Sequence, residues 1–353
     1  MKNNRLKTIV SLLGAYMLLL MLTNCTGENT KNLGQENAIW SEVAFFRGYY
    51  PSNPHITLTE NIIKKHVKTL KKNNIKYTYL FAGPFDIEGF LPEYAFSNTA
   101  INSVKLLKHY YPEIVILPWV GGIQNKTVFL DDSVWVTNAL NDSKRLINTL
   151  SVPGLHFDFE FIVPGDDYLD KAVVDGGSGN IDIYGNNVND FHKKFRDLMP
   201  DAFVSSVVVA TSPDTKPWKR KTTMDELMVL TKYVDQLSFL YYDTFLSSQT
   251  AFEENCIFLL KDIQKLKASA PNVQYLVSVG TFINTLELQK YRNMNIENIP
   301  NSLQTLRSSI QRVSPEEQLV DGISIFCNWE TNKNEWKQLH NNWTKFGTGN
   351  KIK

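Results

Sequence analysis

The chain is expected to fold as a single-domain (β/α)8 barrel of the α/β class, and three observations point there. From about Glu42 onward, short apolar or aromatic runs recur at intervals of about 30 to 50 residues, which is the rhythm of βα units. The stretches between them carry apolar residues at helical spacing. The runs number eight, the count that closes a parallel barrel. A doubly wound open sheet is the competing architecture, but no Gly-x-Gly-x-x-Gly follows an early strand, so a dinucleotide-binding version has no support.

In order, the expected strands are Val43 to Phe46, Tyr77 to Phe81, Ile114 to Trp119, Leu155 to Glu160, Phe203 to Ala210, Gln236 to Tyr242, Tyr275 to Val279 and Ile323 to Cys327. After the first, Thr59 to Asn73 places Ile62, Ile63, Val67 and Leu70 on one helical face with lysines opposite, and Thr59 is a candidate N-cap. Ala100 to His109, Ser133 to Leu150, Val188 to Met199, Met224 to Tyr233, Ala251 to Ala268 and Ile299 to Val313 show comparable spacing, each ahead of the next apolar run. Loops after the strands hold the unusual residues: Arg47 to Pro54, Ala82 to Phe85 and Val120 to Asn125 are rich in Gly, Pro or aromatics. These are rim positions, where barrel active sites lie. The longest insertion, Phe161 to Asn187, follows the fourth strand and is read as a flexible wall around Asp175-Gly-Gly-Ser-Gly-Asn180.

Composition narrows the function. With hydrophobic residues at 43%, charged residues at 21% and a formal net charge of +1, the chain is an ordinary folded domain. It lacks the long basic run of a nucleic-acid binder, so no nucleic-acid partner is expected. The first 25 residues differ: Lys2, Arg5 and Lys7 precede an apolar run from Ile9 to Leu22 that ends at Leu22-Thr23-Asn24-Cys25. The run is shorter than the roughly 20 residues of a membrane span and has no basic stop. It is read as a secretory leader, 26–37 as a flexible tether and 38–347 as the barrel. The Leu-x-x-Cys ending resembles the lipobox of bacterial lipoproteins. By that resemblance Cys25 carries a lipid anchor and the protein sits in the bacterial cell envelope, on the outer membrane or the cell surface, with Asn24 departing from the usual small residue. Only Cys256 and Cys327 remain after processing, with no Cys/His spacing that suits zinc, so neither metal nor cofactor is expected. A single disulfide between the two stays open.

The chemistry is concentrated at Val152 to Glu160 (VPGLHFDFE). On a strand Gly154, His156, Asp158 and Glu160 face one way, and Leu155, Phe157 and Phe159 the other. If the apolar face packs on helices, the ionisable face looks into the barrel, with Glu160 nearest the rim. Buried carboxylate pairs are costly, and inside a barrel they mark chemistry more often than structure.

This segment resembles the Asp-x-x-Asp-x-Asp-x-Glu signature of glycoside hydrolase family 18, the chitinases and endo-β-N-acetylglucosaminidases. Gly154, Asp158 and Glu160 fall on its Gly, last Asp and Glu, whereas Pro153 and His156 occupy its first two acidic positions. Val120-Gly121-Gly122 resembles the family's Gly-Gly element at the third strand, Leu240-Tyr241-Tyr242-Asp243 its Met-x-Tyr-Asp at the sixth, and Gly322 to Phe326 its eighth strand, which usually ends in Trp. The resemblance implies a metal-free retaining endo-glycosidase that hydrolyses β-1,4 linkages next to N-acetylglucosamine, in chitin or an N-glycan core. Glu160 is then the acid and later the base, with its pKa raised by burial beside Asp158. Asp158 orients the substrate's own 2-acetamido nucleophile, and Tyr242 hydrogen-bonds that group. Asp243 either contacts the sugar or forms a structural ion pair.

Because pyranose faces stack on aromatic rings, Trp119 and Trp329 are the preferred sugar platforms, with Tyr49, Tyr50, Trp218, Tyr241, Phe282 and Phe326 as further candidates. Gly122 and His156 complete the expected substrate-binding set, His156 as a supporting neighbour of Asp158. About 40 residues separate the seventh and eighth strands, too few for the small α+β insertion of chain-following chitinases. The competing reading is a non-catalytic glycan-binding lipoprotein on the same barrel; a third is an unrelated barrel glycosidase using Asp158 or Asp243 as direct nucleophile.

Overall fold

The computed structural model describes residues 36–51, 53–163, 181–209, 212, 215–216, 219–281, 292–315 and 318–344. The leader with Cys25, most of the tether, the Gly-rich piece Asp175 to Asn180, Trp218, Phe282 and the last residues of the expected domain lie outside them.

Eight parallel strands close into a barrel. In chain order they are β1 (Asn37–Ser41), β4 (Ile75–Pro84), β5 (Val115–Ile123), β6 (Gly154–Glu160), β7 (Phe203–Val209), β8 (Gln236–Leu240), β9 (Gln274–Gly280) and β10 (Gly322–Phe326). β1 closes the ring by pairing with both β4 and β10. A separate antiparallel ribbon, β2 (Tyr49–Tyr50) with β3 (Asn53–Thr57), stands after the first strand. Between β9 and β10 the described residues carry one long helix, Ile299–Val313, and no strand.

The alternation expected on the fourth strand holds around the ring. Leu155, Phe157 and Phe159 join the apolar layer between barrel and helices, where Phe157 meets Phe195 at 5.0 Å and Phe191 at 5.4 Å between ring centroids. Ala38, Trp40, Tyr77, Tyr79, Leu117, Leu240, Tyr242 and Leu276 form a second cluster inside the barrel. Each buried Leu or Phe among them contributes about 1.5–3 kcal/mol of transfer free energy. Helix starts follow their sequence signals: Thr59 accepts from Ile62 N at 3.4 Å, Asp132 caps Ser133–Leu150, and Thr223 with Glu226 makes a reciprocal capping box. Caps of this kind are worth about 1 kcal/mol each.

The first expected strand is the clear correction. Val43 to Phe46 is not a strand: Ala44–Arg47 is a single helical turn, closed by Gly48 at φ 80°. The strand is Asn37–Ser41, which begins seven residues before the helical turn it leads into, and every one of its residues is buried. Both segments are short and apolar, and periodicity does not separate strand from helix over such lengths. Tertiary pairing decided it, because Asn37 accepts from Ile323 N at 3.1 Å and from the Trp343 indole at 3.0 Å. Asn37, assigned to the tether, therefore belongs to the barrel. The fourth expected helix, Val188 to Met199, is already helical from Ile181 among the described residues, where Tyr184 packs on Phe161 at 5.2 Å.

Candidate active site

Strand alternation and register deliver the fourth-strand carboxylates to the C-terminal mouth. In β6, Asp158 lies opposite Gly121 of β5 and Glu160 opposite Ile123, at the last rungs of the ladder. Gly121 is required there: at φ 154° a Cβ would stand 2.0 Å from the Asp158 carbonyl oxygen. Gly122, expected to line the sugar site, packs on Thr127 instead, whose Oγ1 would lie 2.2 Å from an added Cβ.

Asp158 accepts from the Trp119 indole N–H through Oδ2 at 3.0 Å, and its Oδ1 is buried with no partner among the described residues. Burial first, then the charge of Glu160, push the Asp158 carboxyl from 3.8 up to about 7, against the opposing pull of Lys219 and the Trp119 bond. Asp158 therefore keeps its proton to a higher pH than an ordinary carboxyl. Glu160 is not a lone acid: its Oε1 accepts from Lys219 Nζ, with the two side chains 19% and 9% exposed. Lys219 is aimed by the loop after β7, which bridges onto the end of β6 through Ile162 and through Arg220 N to Phe161 O at 3.0 Å.

His156 lies deeper on the same face. Gln236 Nε2 donates to Gln274 Oε1 at 2.9 Å, which fixes the amide, so Gln236 Oε1 accepts from Ser205 Oγ at 2.8 Å and from the Tyr79 hydroxyl at 2.5 Å. Ser205 has then spent its only proton, and its oxygen must accept from His156 Nδ1, 2.8 Å away. This leaves His156 as the Nδ1–H tautomer, with a buried Nε2 that has no partner among the described residues. Burial holds its pKa well below 6.5, and the ring stacks on Tyr79 at 3.7 Å. His156 is a neutral wall of the barrel interior supporting the strand that carries Asp158.

Tyr242 follows β8. Burial raises its pKa well above 10, and the charges of nearby Asp158 and Glu160 raise it further, so its phenol stays protonated. Its ring stacks on Phe326 at 5.1 Å and 9°. Phe326 meets Trp119 edge-on at 6.4 Å and Trp329 at 5.5 Å, so the two expected platforms and Tyr242 share one aromatic floor centred on the last residue of β10. Trp329 is 37% exposed. Tyr49 stands apart on the β2–β3 ribbon, exposed and near Tyr94.

Of the two expectations for Asp243, the geometry is that of the structural ion pair. It is fully buried and binds Lys216, also fully buried. Lys216 Nζ donates as well to the Tyr242 carbonyl at 2.5 Å, and both residues hold φ 46°, uncommon for side chains of this kind. Beside them Glu297 accepts from Thr244 N at 3.0 Å and Thr244 Oγ1 at 2.6 Å. Lys216, Lys219, Tyr184 and Glu297 were missed from the sequence. The run Lys216-Pro-Trp-Lys-Arg-Lys221 after the fifth strand was the available signal for the lysines. Tyr184 and Glu297 gave none, since only packing brings their helix and loop to the mouth. Cys256 and Cys327 are both buried free thiols.

No family model and no curated protein matches the sequence. Similarity appears in three dimensions. The Group IV chitinase of Ostrinia furnacalis matches with a TM-score of 0.59 at 12% identity, covering 89% of this chain and 100% of that one. The catalytic domain of a family GH18 chitinase from the fern Peteris ryukyuensis matches at 0.53 and 12%, covering 89% and 99%. The fold is that of the family 18 glycoside hydrolases. The spore cortex-lytic enzyme SleL of Bacillus cereus shares this barrel, with a TM-score of 0.56 at 12% identity over 87% of this chain and 74% of that one. At such identities the likeness is one of fold.

Proposed function

We propose that this chain is a retaining glycoside hydrolase that cuts β-1,4 linkages next to N-acetylglucosamine, with Glu160, Asp158 and Tyr242 as its working residues. The observation that carries the reading is the place of Asp158, bonded to the Trp119 indole and two residues before Glu160 at the C-terminal end of the fourth barrel strand, with its carboxyl raised to about 7 by burial and by the charge of Glu160. Proximity of two carboxyls with one proton is what acid catalysis near neutrality needs. As a sugar enters, Lys219 withdraws from Glu160 and the proton passes from Asp158 to Glu160. The substrate's acetamido oxygen then attacks the anomeric carbon while the glycosidic C–O bond breaks and Glu160 protonates the departing oxygen. Asp158, now ionised, faces the positive charge on the cyclised acetamido group. Water later adds to the anomeric carbon as the bond from that carbon to the acetamido oxygen breaks, and gives its proton to Glu160. Tyr242 donates its phenolic hydrogen to the acetamido group, and Phe326, Trp119 and Trp329 bear the pyranose rings.

The short connection before β10 supports a shallow groove and cleavage within chains. Chitin and N-glycan cores remain the candidate substrates, and a lipid anchor at Cys25 would hold the enzyme in the cell envelope. The test is release of product from chitin oligosaccharides and from a high-mannose glycoprotein, by wild type and by Glu160→Gln. Loss of a general acid lowers the rate about 10²–10⁴-fold; equal rates would remove Glu160 from the mechanism. The ion pair of Glu160 with Lys219 favours a second reading, a glycan-binding barrel without turnover, and wild type that binds these glycans and releases nothing would establish it.

A further inference from the structure

Four cations crowd one side of the candidate mouth, and three of them are matched by carboxylates. Lys216 has Asp243, Lys219 has Glu160, and Arg220 has Glu226, bonded through both guanidinium ends at 2.9 and 2.5 Å. Lys221 has none: among the described residues its ammonium donates only to the carbonyls of Lys216 and Lys219. The charge of Lys219 lies close enough to act on both neighbouring ammonium groups. After burial, Lys219 depresses both Lys216 and Lys221, and Lys221, partly buried, falls to about 8. Partial burial of a cation without a counter-ion is costly, and such a site gains free energy when an anion completes it. Lys219 adds to this, because its only carboxylate among the described residues is the one that must be released for catalysis in the reading above.

We infer that the Lys219 and Lys221 ammonium groups receive a carboxylate borne by the sugar next to the N-acetylglucosamine, making the substrate an acidic rather than a neutral amino-sugar polymer. This rests on the proposed glycosidase reading and deepens it. As the carboxylate reaches the pair, Lys219 exchanges Glu160 for the ligand, which frees Glu160 to take the proton of Asp158, so recognition and activation are one event. Two sources share this chemistry, an alternating uronic acid polymer and a strand whose alternate sugar carries a lactyl ether.

The experiment measures binding by calorimetry to the full chain carrying Glu160→Gln, so that no ligand is consumed. It uses oligosaccharides of equal length: neutral N-acetylglucosamine oligomers, N-acetylglucosamine–uronate oligomers and lactyl-bearing glycan-strand fragments. At least one acidic ligand is expected to bind about tenfold or more tightly than the neutral one, near 1.4 kcal/mol, and which of the two does so identifies the source. The preference falls with added salt and is lost in Lys221→Met but retained in Lys221→Arg. Equal or tighter binding of the neutral oligomer, or a preference that survives Lys221→Met with the variant folded by circular dichroism, overturns the inference. Turnover by wild type is read separately: preferential binding without hydrolysis would sink the glycosidase reading and keep the acidic ligand, whereas hydrolysis without preference would do the reverse.

Discussion

The Trp119 indole donates to Asp158 Oδ2 at 3.0 Å across neighbouring strands, while Asp158 Oδ1 stays buried and has no partner among the described residues. One oxygen is thus fixed and the other is available to hold a proton. Because the indole bond favours the ionised carboxylate, Trp119→Phe removes that support and shifts the Asp158 titration further up. We expect activity at pH 6 to fall about tenfold, in line with loss of a hydrogen bond to a charged group worth about 1.5–3 kcal/mol, and the pH–rate profile to move toward alkaline pH. An unmoved profile would show that the contact is packing alone.

Asp158 also sets a pH dependence of stability. Its carboxyl is lifted from 3.8 to about 7 in the folded chain, so between those values the folded state holds a proton that the unfolded state has released. Stability from this group is therefore present below about pH 4 and is lost as pH rises through 7. Asp158→Asn keeps the neutral shape and still accepts from Trp119, so it should melt a few degrees above wild type at pH 8. Differential scanning calorimetry at pH 8 and pH 4 checks this; a difference that fails to shrink at the lower pH would contradict it.

For His156 the hydrogen-bond chain through Ser205 and Gln236 dictates the Nδ1–H tautomer. Nitrogen-15 shifts of its imidazole, assigned against His156→Gln, should show a protonated Nδ1 and a bare Nε2 from pH 5.5 to 8. The depressed pKa has the opposite consequence to that of Asp158. An unfolded His takes a proton as pH falls through its ordinary value of 6.5, whereas the folded one does not, so this contribution to stability is lost on acidification. An imidazolium signal at pH 6 in the folded chain would refute the assignment.

Gly121→Ala tests the close approach of β5 to β6. An added methyl would stand 2.0 Å from the Asp158 carbonyl oxygen at a φ of 154°, and both strain and collision oppose it. A loss of about 3 kcal/mol or more in urea unfolding is expected, with activity reduced beyond what the lost stability explains. Wild-type stability in this variant would mean that the strands tolerate separation at Asp158.

Seven of the eight barrel strands lie where their apolar runs placed them. The helix cap at Thr59 likewise follows from residue type and spacing. Periodicity and capping are local, so the chain announces them. The two-faced fourth strand was legible for the same reason: alternation alone sends Phe157 to the helices and Asp158 to the interior. The first strand was not, since Asn37–Ser41 and Ala44–Arg47 are equally apolar and only pairing with β4 and β10 tells them apart.

By itself the sequence determined the barrel, the order of its strands, and the placing of Asp158 and Glu160 on one inward face near its mouth. Tertiary structure decided what those carboxyls meet. Lys219 reaches Glu160 from a loop 59 residues away, Asp243 turns inward to Lys216, and Ser205 with Gln236 sets the His156 proton. Faces follow from neighbours in sequence, whereas charge and proton positions depend on partners brought together across the ring, at distances no local pattern encodes.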